Sequence, residues 1–160
     1  QQSSFGCVTP FSHNHGAWSL EGGAMYLMTA EPSEAYTGNY FARDYSVSVT
    51  VNPQNGTSHL VAVRAQGAMR GYHAGFDGDN RVTLYINDFG YRKLAEAEYP
   101  WKLGEDYELN VTVRGSTITL SVNGEELLRH ADDTFGYGMY GVSTLSAARA
   151  YFKRIRYAEL

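Results

Sequence analysis

At 160 residues with a formal net charge of −4, the chain fits one domain large enough to bury a two-layer core, and it lacks the basic surface that nucleic acid requires. No apolar run reaches the ~20 residues that span a bilayer, and no signal-peptide pattern opens the chain. Cys7 is the single cysteine, so an internal disulfide is excluded and cysteine usage leaves the compartment open.

Gln1-Gln2-Ser3-Ser4 resembles a trimmed terminus or a linker remnant, so residues 1–160 are expected to form a single domain cut from a longer protein. His13-Asn14-His15 offers two imidazoles at i and i+2, but no third ligand is placed beside them and no metal site is predicted. Trp18 to Met28 predicts two short strands about Gly22-Gly23. Asp44 to Asn52 is a clear strand, with Tyr45, Val47, Val49 and Val51 alternating with Ser46, Ser48 and Thr50, and Pro53-Gln54-Asn55-Gly56 turns the chain. His59–Gln66, Gly71–Asp77, Arg81–Asp88 and Tyr91–Ala97 follow as strands, separated by Gly-containing turns.

Tyr107, Leu109, Val111 and Val113 then alternate with polar residues, as do Ile118, Leu120 and Val122 after the Gly115 turn. Asn123-Gly124 supplies the left-handed angles of a two-residue hairpin, and Glu125 to Arg129 runs back, completing a β-meander. Tyr137–Thr144 and Tyr151–Tyr157 are the closing strands. Lys93–Tyr99 and Leu145–Ala150 contain helix formers but are too short for a stable helix, so both are predicted as strand or loop. About a dozen strands with helix nearly absent make the fold all-β, a two-sheet antiparallel β-sandwich of jelly-roll type.

The strand at 59–66 departs from the meander's rule. Val61, Val63 and Ala65 form one face, and Arg64 falls on the other with Leu60 and Ala62. Gly67 and Gly71 permit a hairpin that brings Arg64, Gln66, Arg70 and Tyr72 together. Guanidinium forks and a carboxamide are directional partners for hydroxyl or anionic oxygens, and a Tyr ring offers a flat surface for the C–H face of a sugar. The expectation is one accessible pocket on the concave side, with Tyr91 of the Tyr91-Arg92-Lys93 step at its edge. The alternative is that an arginine pairs with Asp44 or Asp77 to hold the sheets together. The 13 tyrosines fit either strand propensity or surface recognition.

Asp77-Gly78-Asp79-Asn80 begins like a calcium loop but continues Arg81-Val82, so it is a hairpin turn. Asn55-Gly56-Thr57 and Asn110-Val111-Thr112 match the glycosylation acceptor pattern without deciding anything. Glu96 and Glu98 point the same way on a strand, a pair that acid–base catalysis could use and that a solvated face would also explain.

Taken in order, Tyr36-Thr37-Gly38, Asp44-Tyr45, RAQGAMRGY at 64–72, Trp101 ahead of Tyr107-Glu108-Leu109, the VNGEELL return, Gly138, Gly141 and the aromatic closing strand resemble the concanavalin A-like jelly-roll superfamily. The resemblance is to laminin G-like and levanase-type carbohydrate-binding modules, and more narrowly to accessory domains that follow bacterial ADP-ribosylglycohydrolase-type and glycosidase-type catalytic domains. It implies glycan binding on a concave face or at the loop rim and adds Tyr36 to the candidate set. It implies no catalysis, because the glucanase strand motif of the superfamily is absent. Many relatives bind a structural calcium through an acidic residue in the closing strand, where this chain has Phe152-Lys153-Arg154-Ile155; Lys153 and Arg154 cannot ligate it, so no cofactor is expected.

The reading that follows is a carbohydrate-binding module that keeps a covalently attached enzyme near a glycan, secreted or at a cell surface, with neither nucleic acid nor a membrane span involved. Its competitors are a protein-interaction module and a glycoside-cleaving enzyme of the same fold.

Overall fold

A strand persists where alternate residues are apolar and the backbone groups between them find a ladder partner. The computed structural model describes residues 12–13, 17–21, 24–29, 33–66, 70–144 and 148–160, with side chains described from Gly38 onward except at 67–69, 145–149 and 154. In chain order the strands are β1 (Ser12–His13), β2 (Ala17–Glu21), β3 (Ala24–Thr29), β4 (Ser33–Thr37), β5 (Tyr45–Asn55), β6 (Ser58–Ala65) and β7 (Arg70–Asp77). They continue as β8 (Arg81–Asp88), β9 (Tyr91–Glu98), β10 (Tyr107–Arg114), β11 (Thr117–Val122), β12 (Glu125–Ala131), β13 (Met139–Thr144) and β14 (Ala148–Glu159). Among the described residues no helix is long and apolar enough to cross a membrane.

The strands form two seven-stranded sheets, one in the order β1-β4-β13-β6-β7-β8-β9 and the other β12-β11-β10-β5-β14-β3-β2. The predicted meander is the run β10-β11-β12, and its hairpin turns through Asn123 (φ 50°) and Gly124 (φ 87°) as the dipeptide requires. A second meander, β6 to β9, closes the opposite sheet.

Alternation builds the core. Val47, Val49 and Val51 of β5, Leu109, Val111 and Val113 of β10, and Ile118, Leu120 and Val122 of β11 line the inner face of one sheet. They meet Val61 and Val63 of β6, Tyr72, Ala74 and Phe76 of β7, and Val82, Leu84 and Ile86 of β8. All are essentially fully buried, and each large one contributes about 1.5–3 kcal/mol of transfer free energy.

Lys93–Glu98 is strand, within β9, as predicted; of Leu145–Ala150, Ala148 to Ala150 begin β14 and residues 145–147 lie outside the described residues. One expectation needs correction, and one strand was not anticipated. β5 does not turn at Pro53 but runs to Asn55, because the β10 ladder has already ended at the Tyr107–Val51 pair and a missing N–H removes no bond there. Ser33–Thr37 is a strand despite its short, weakly patterned sequence, held between β1 and β13. His13 lies on β1, and His15 is outside the described residues.

Candidate functional site

Antiparallel pairing brings residues 38–44, 89–90, 115–116 and 132–138 to one end of the sandwich, together with Gln66 and Arg70 at the facing ends of β6 and β7. At this end a β-bulge decides the chemistry. Met139 pairs with Ala65 and Gly141 with Ala62, so Tyr140 stands opposite both Val63 and Arg64. Arg64 takes the extra place with φ 50°, unusual for a non-glycine residue. Gly138 (φ 148°) lies against this bulge so closely that a Cβ there would fall 2.3 Å from the Arg64 carbonyl carbon.

The bulge re-aims Arg64. It does not share a face with Leu60 and Ala62, as strict alternation predicts, but runs between the sheets at 1% exposure. Its Nε and Nη2 donate to Arg43 O at 3.1 and 2.8 Å, and Nη1 donates to Gly115 O at 2.6 Å and Phe135 O at 3.2 Å. Nη2 also meets Asp44 Oδ1 at 3.2 Å. A guanidinium has five N–H donors, and these five bonds occupy them all inside the protein. Burial lowers the Arg64 pKa, and the Tyr45 hydroxyl and the Asp44 carboxylate work against that shift.

Tyr72 is likewise part of the frame. Its ring lies edge-on to Phe135 and is wholly buried. Its hydroxyl donates to Asp132 Oδ1 at 2.6 Å and accepts the Phe135 N–H at 3.2 Å. Burial, then the Asp132 bond, pushes the Tyr72 pKa far up. Burial works to raise Asp132 too, but the bonds from Tyr72 and Thr134 outweigh it and hold that carboxyl below its ordinary range. Tyr45 completes the frame, its hydroxyl donating to Gly138 O at 2.9 Å and accepting the Arg64 N–H at 2.6 Å.

Arg64, Gln66, Arg70 and Tyr72 are therefore neighbours, as the hairpin argument predicts, but they do not line one open pocket on a sheet face. Gln66 donates its side-chain N–H to Tyr137 O at 2.9 Å, tying the β6–β7 turn to the 132–138 segment. Arg70 remains half exposed, 3.5 Å from Asp88, with its guanidinium over the Phe135 ring at 4.9 Å. Tyr91 stands apart, edge-on to His73 and Tyr85 on the other side of the β7–β9 sheet. Tyr36 is in register with Gly141 on β13, and its side chain lies outside the described residues.

Above this frame sits what the sequence reading missed. Tyr40, Phe41 and Tyr137 form an aromatic cluster, with Phe41 stacked on Tyr137 at 6.0 Å and Tyr40 edge-on to both. Phe41 is 70% exposed, where a loop gains nothing from a bare phenyl ring unless something covers it. Arg43, Phe135 and Gly136 lie one or two residues along the chain from this cluster and, together with Asp44, Ser116 and Asp133, line a half-open cleft of about 260 Å³, with Arg64 at its base. A carboxylate from each side, an exposed guanidinium and a hydroxyl give it both donors and acceptors. The readable signal was an aromatic pair, Tyr40-Phe41, in a loop opened by Gly38-Asn39, and a Tyr between Gly136 and Gly138.

Glu96 and Glu98 lie on the solvent side of β9, an edge strand. Glu96 bonds Lys93 at 2.8 Å, and that bond keeps its carboxyl below the ordinary range, the wrong direction for a general acid. In the closing strand Lys153 pairs with Asp106 at 3.2 Å, and the Arg154 side chain lies outside the described residues. Among the described residues no three His, Cys, Asp or Glu side chains gather as a cation would need.

No family model and no curated protein matches the chain. Solved structures do. A carbohydrate-binding module, CBM66, from Bacillus subtilis superposes with a TM-score of 0.87 at 17% identity, covering 94% of this chain and 96% of that one. The exoplasmic/lumenal domain of VIP36, in a form bound to calcium and Man3GlcNAc, gives 0.69 at 12% identity over 96% and 85%. Domain 4 of AbnA, an extracellular arabinanase from Geobacillus stearothermophilus, in complex with arabinotriose, gives 0.62 at 15% identity over 94% and 82%. At these identities the likeness is one of architecture, a two-sheet antiparallel β-sandwich of jelly-roll type, as the sequence predicts.

Proposed function

We propose that the domain is a non-catalytic carbohydrate-binding module that takes a sugar at the 38–44/132–138 rim and holds an attached catalytic domain near its glycan. The exposed aromatic cluster beside a small polar cleft carries this reading. A sugar ring is amphipathic, with C–H faces and a hydroxyl periphery, and Phe41 and Tyr137 offer the flat apolar surface while Arg43, Asp44, Ser116 and Asp133 offer hydroxyl partners. Arg64 and Tyr72 act beneath them as positioning residues, fixing the segments on which the contact residues stand. The three similar structures, one a carbohydrate-binding module and two solved with a saccharide bound, support the reading. A cleft of about 260 Å³ is below the usual range of ligand pockets, which favours one sugar unit over an extended chain and a weak single-site affinity.

The test is a glycan array followed by calorimetric titration of the best ligand. Phe41→Ala is expected to weaken binding at least tenfold while the melting temperature stays within about 2 °C. Full binding by the folded variant, or silence across plant, fructan and host glycans, sinks the assignment. The interaction-module reading draws on one observation, the 72% exposure of Phe89 at the β8–β9 turn beside Arg70, which widens the apolar surface of this end beyond what one sugar covers.

A further inference from the structure

The opposite end of the sandwich carries a second concavity. The β5–β6 turn, the β7–β8 turn and the segment entering β10 enclose a half-open cleft of about 450 Å³, lined by Asn55, Gly56, Thr57, Asp79, Asn80, Trp101 and Leu103. Its walls are fixed. Trp101 lies parallel to Phe76 at 4.8 Å and donates its indole N–H to Gly78 O at 3.1 Å, so one face of the ring is anchored in the core. His59 abuts the same indole edge-on and reaches Gly56 O at 3.0 Å, tying the β5–β6 turn to it. The lips are polar and open to solvent: Asn55, Thr57, Asp79 and Asn80 are exposed and Leu103 is 50% exposed, while Asn55 Oδ1 accepts the Gly56 N–H at 2.8 Å and Thr57 O accepts the Gly78 N–H at 3.0 Å.

The lining selects a ligand class. No lysine or arginine lines the cleft, and Asp79 would repel an anion. One carboxylate is too few for a calcium ion, which wants six to eight oxygens with several charges among them. A wholly apolar molecule would bury the two carboxamides and the Thr57 hydroxyl without partners, at roughly 1–3 kcal/mol each. What remains is a neutral, polyhydroxylated ligand with an apolar face, able to give and take hydrogen bonds with Asn55, Thr57, Asp79 and Asn80 while resting against Trp101 and Leu103.

We propose that this cleft is a second carbohydrate subsite, independent of the rim site. Strand β5 runs from one end to the other, Tyr45 to Asn55, and eleven residues in extended conformation separate the two by roughly 35 Å. A trisaccharide cannot bridge that distance. Two sugar chains, or two distant stretches of one polymer, can be held at once, and the domain then gains avidity on a polysaccharide that it lacks on an oligosaccharide.

Trp101 reports on this directly. The chain has two tryptophans, so its NMR spectrum has two indole N–H resonances, and Trp101 lines the cleft. Titration of the unmodified chain with arabinotriose, Man3GlcNAc and a fructan oligosaccharide is expected to shift the Trp101 resonance saturably, at about millimolar concentrations, for at least one of the three. Asp79→Ala with Asn80→Gly should weaken that shift tenfold or more. Asn80 has φ 56°, so glycine removes the carboxamide at no conformational cost to the turn. Phe41→Ala should leave the shift intact, which separates failure of this proposal from failure of the rim assignment. The proposal is overturned if none of the three sugars moves the Trp101 resonance, if the double variant binds as the unmodified chain does, or if Phe41→Ala abolishes the response.

Discussion

The two ends of this sandwich are closed by different physics. At the rim end, a buried guanidinium satisfies three backbone carbonyls and one carboxylate, and two buried tyrosine hydroxyls stitch the neighbouring segments to it. At the far end, Phe76, Trp101, Tyr107 and Tyr99 stack into one aromatic group, with a buried neutral histidine against it. The first closure depends on directional bonds whose removal strands polar groups. The second depends on filled volume. Both hold a loop cluster still enough to present a site, and they should fail in different ways.

The largest effect is expected from deleting each anchor. Arg64→Ala leaves the carbonyls of Arg43, Gly115 and Phe135 without a donor and should cost roughly 3–5 kcal/mol. Phe76→Ala opens a cavity at the other end and should cost about the same. Conservative replacement breaks the tie. Arg64→Lys keeps the charge but has three donors in place of a planar fork of five, so it should recover less than half of the loss. Phe76→Leu restores most of the volume and should recover more than half. Equal recovery at both ends, measured by urea denaturation, would sink the distinction.

Acid should reach the far end next. Burial lowers His59 from its ordinary value near 6.5 to about 4, although the Gly56 carbonyl works to raise it. Burial likewise lowers His73, on the β7 strand, to about 3. Between pH 6.5 and 4 the unfolded chain therefore binds protons that the folded chain refuses, and stability rises with pH across that window. It is fully present above about 6.5 and is lost as the pH falls toward 4, by up to about 3 kcal/mol for His59 alone. His59→Gln should flatten the melting temperature between pH 6.5 and 4 relative to the unmodified chain. An unchanged slope would show that His59 does not carry it. The carboxyls held low at Asp132, Glu96 and Glu126 contribute only in more acid solution.

Much of this contrast was hidden from the sequence, for identifiable reasons. The β10–β12 meander was legible because alternation and an Asn-Gly turn are local signals that tertiary packing has no reason to override. The direction of Arg64 was not. It is set by a bulge between β6 and β13, a property of two strands that meet only in the fold, and nothing in His59–Gln66 shows that one residue will be extra. The gathering of Arg64, Gln66, Arg70 and Tyr72 was legible from the Gly-hinged turn, and so was Asp44 as a structural partner for an arginine. Which of them would face water was not, because burial at a sandwich end depends on the loop that covers it, here through Phe135. Tyr40, Phe41 and Tyr137 escaped notice because aromatic residues in loops carry no periodicity, and their cluster exists only once the 38–44 and 132–138 segments lie side by side.

The smallest effect tests the contrast most finely, because it removes one oxygen atom at each end. Tyr72 and Tyr107 are both buried tyrosines on inner faces, and each hydroxyl serves the backbone of a neighbouring segment. The Tyr72 hydroxyl donates to Asp132 and accepts from Phe135, both in the segment that covers the rim end. The Tyr107 hydroxyl accepts the N–H of Lys102, an exposed residue that water can serve instead. Tyr72→Phe should therefore cost about 1–2 kcal/mol, and Tyr107→Phe about 0.5 kcal/mol. A second readout separates the rim bond from mere packing. The Tyr72 hydroxyl helps to hold the Asp132 carboxyl down, so Tyr72→Phe should raise the Asp132 pKa in an NMR titration, whereas Tyr107→Phe should leave it unmoved. Equal stability losses, with Asp132 titrating alike in both variants, would mean that the rim end is held by packing as the far end is, and that its hydrogen-bond frame is incidental.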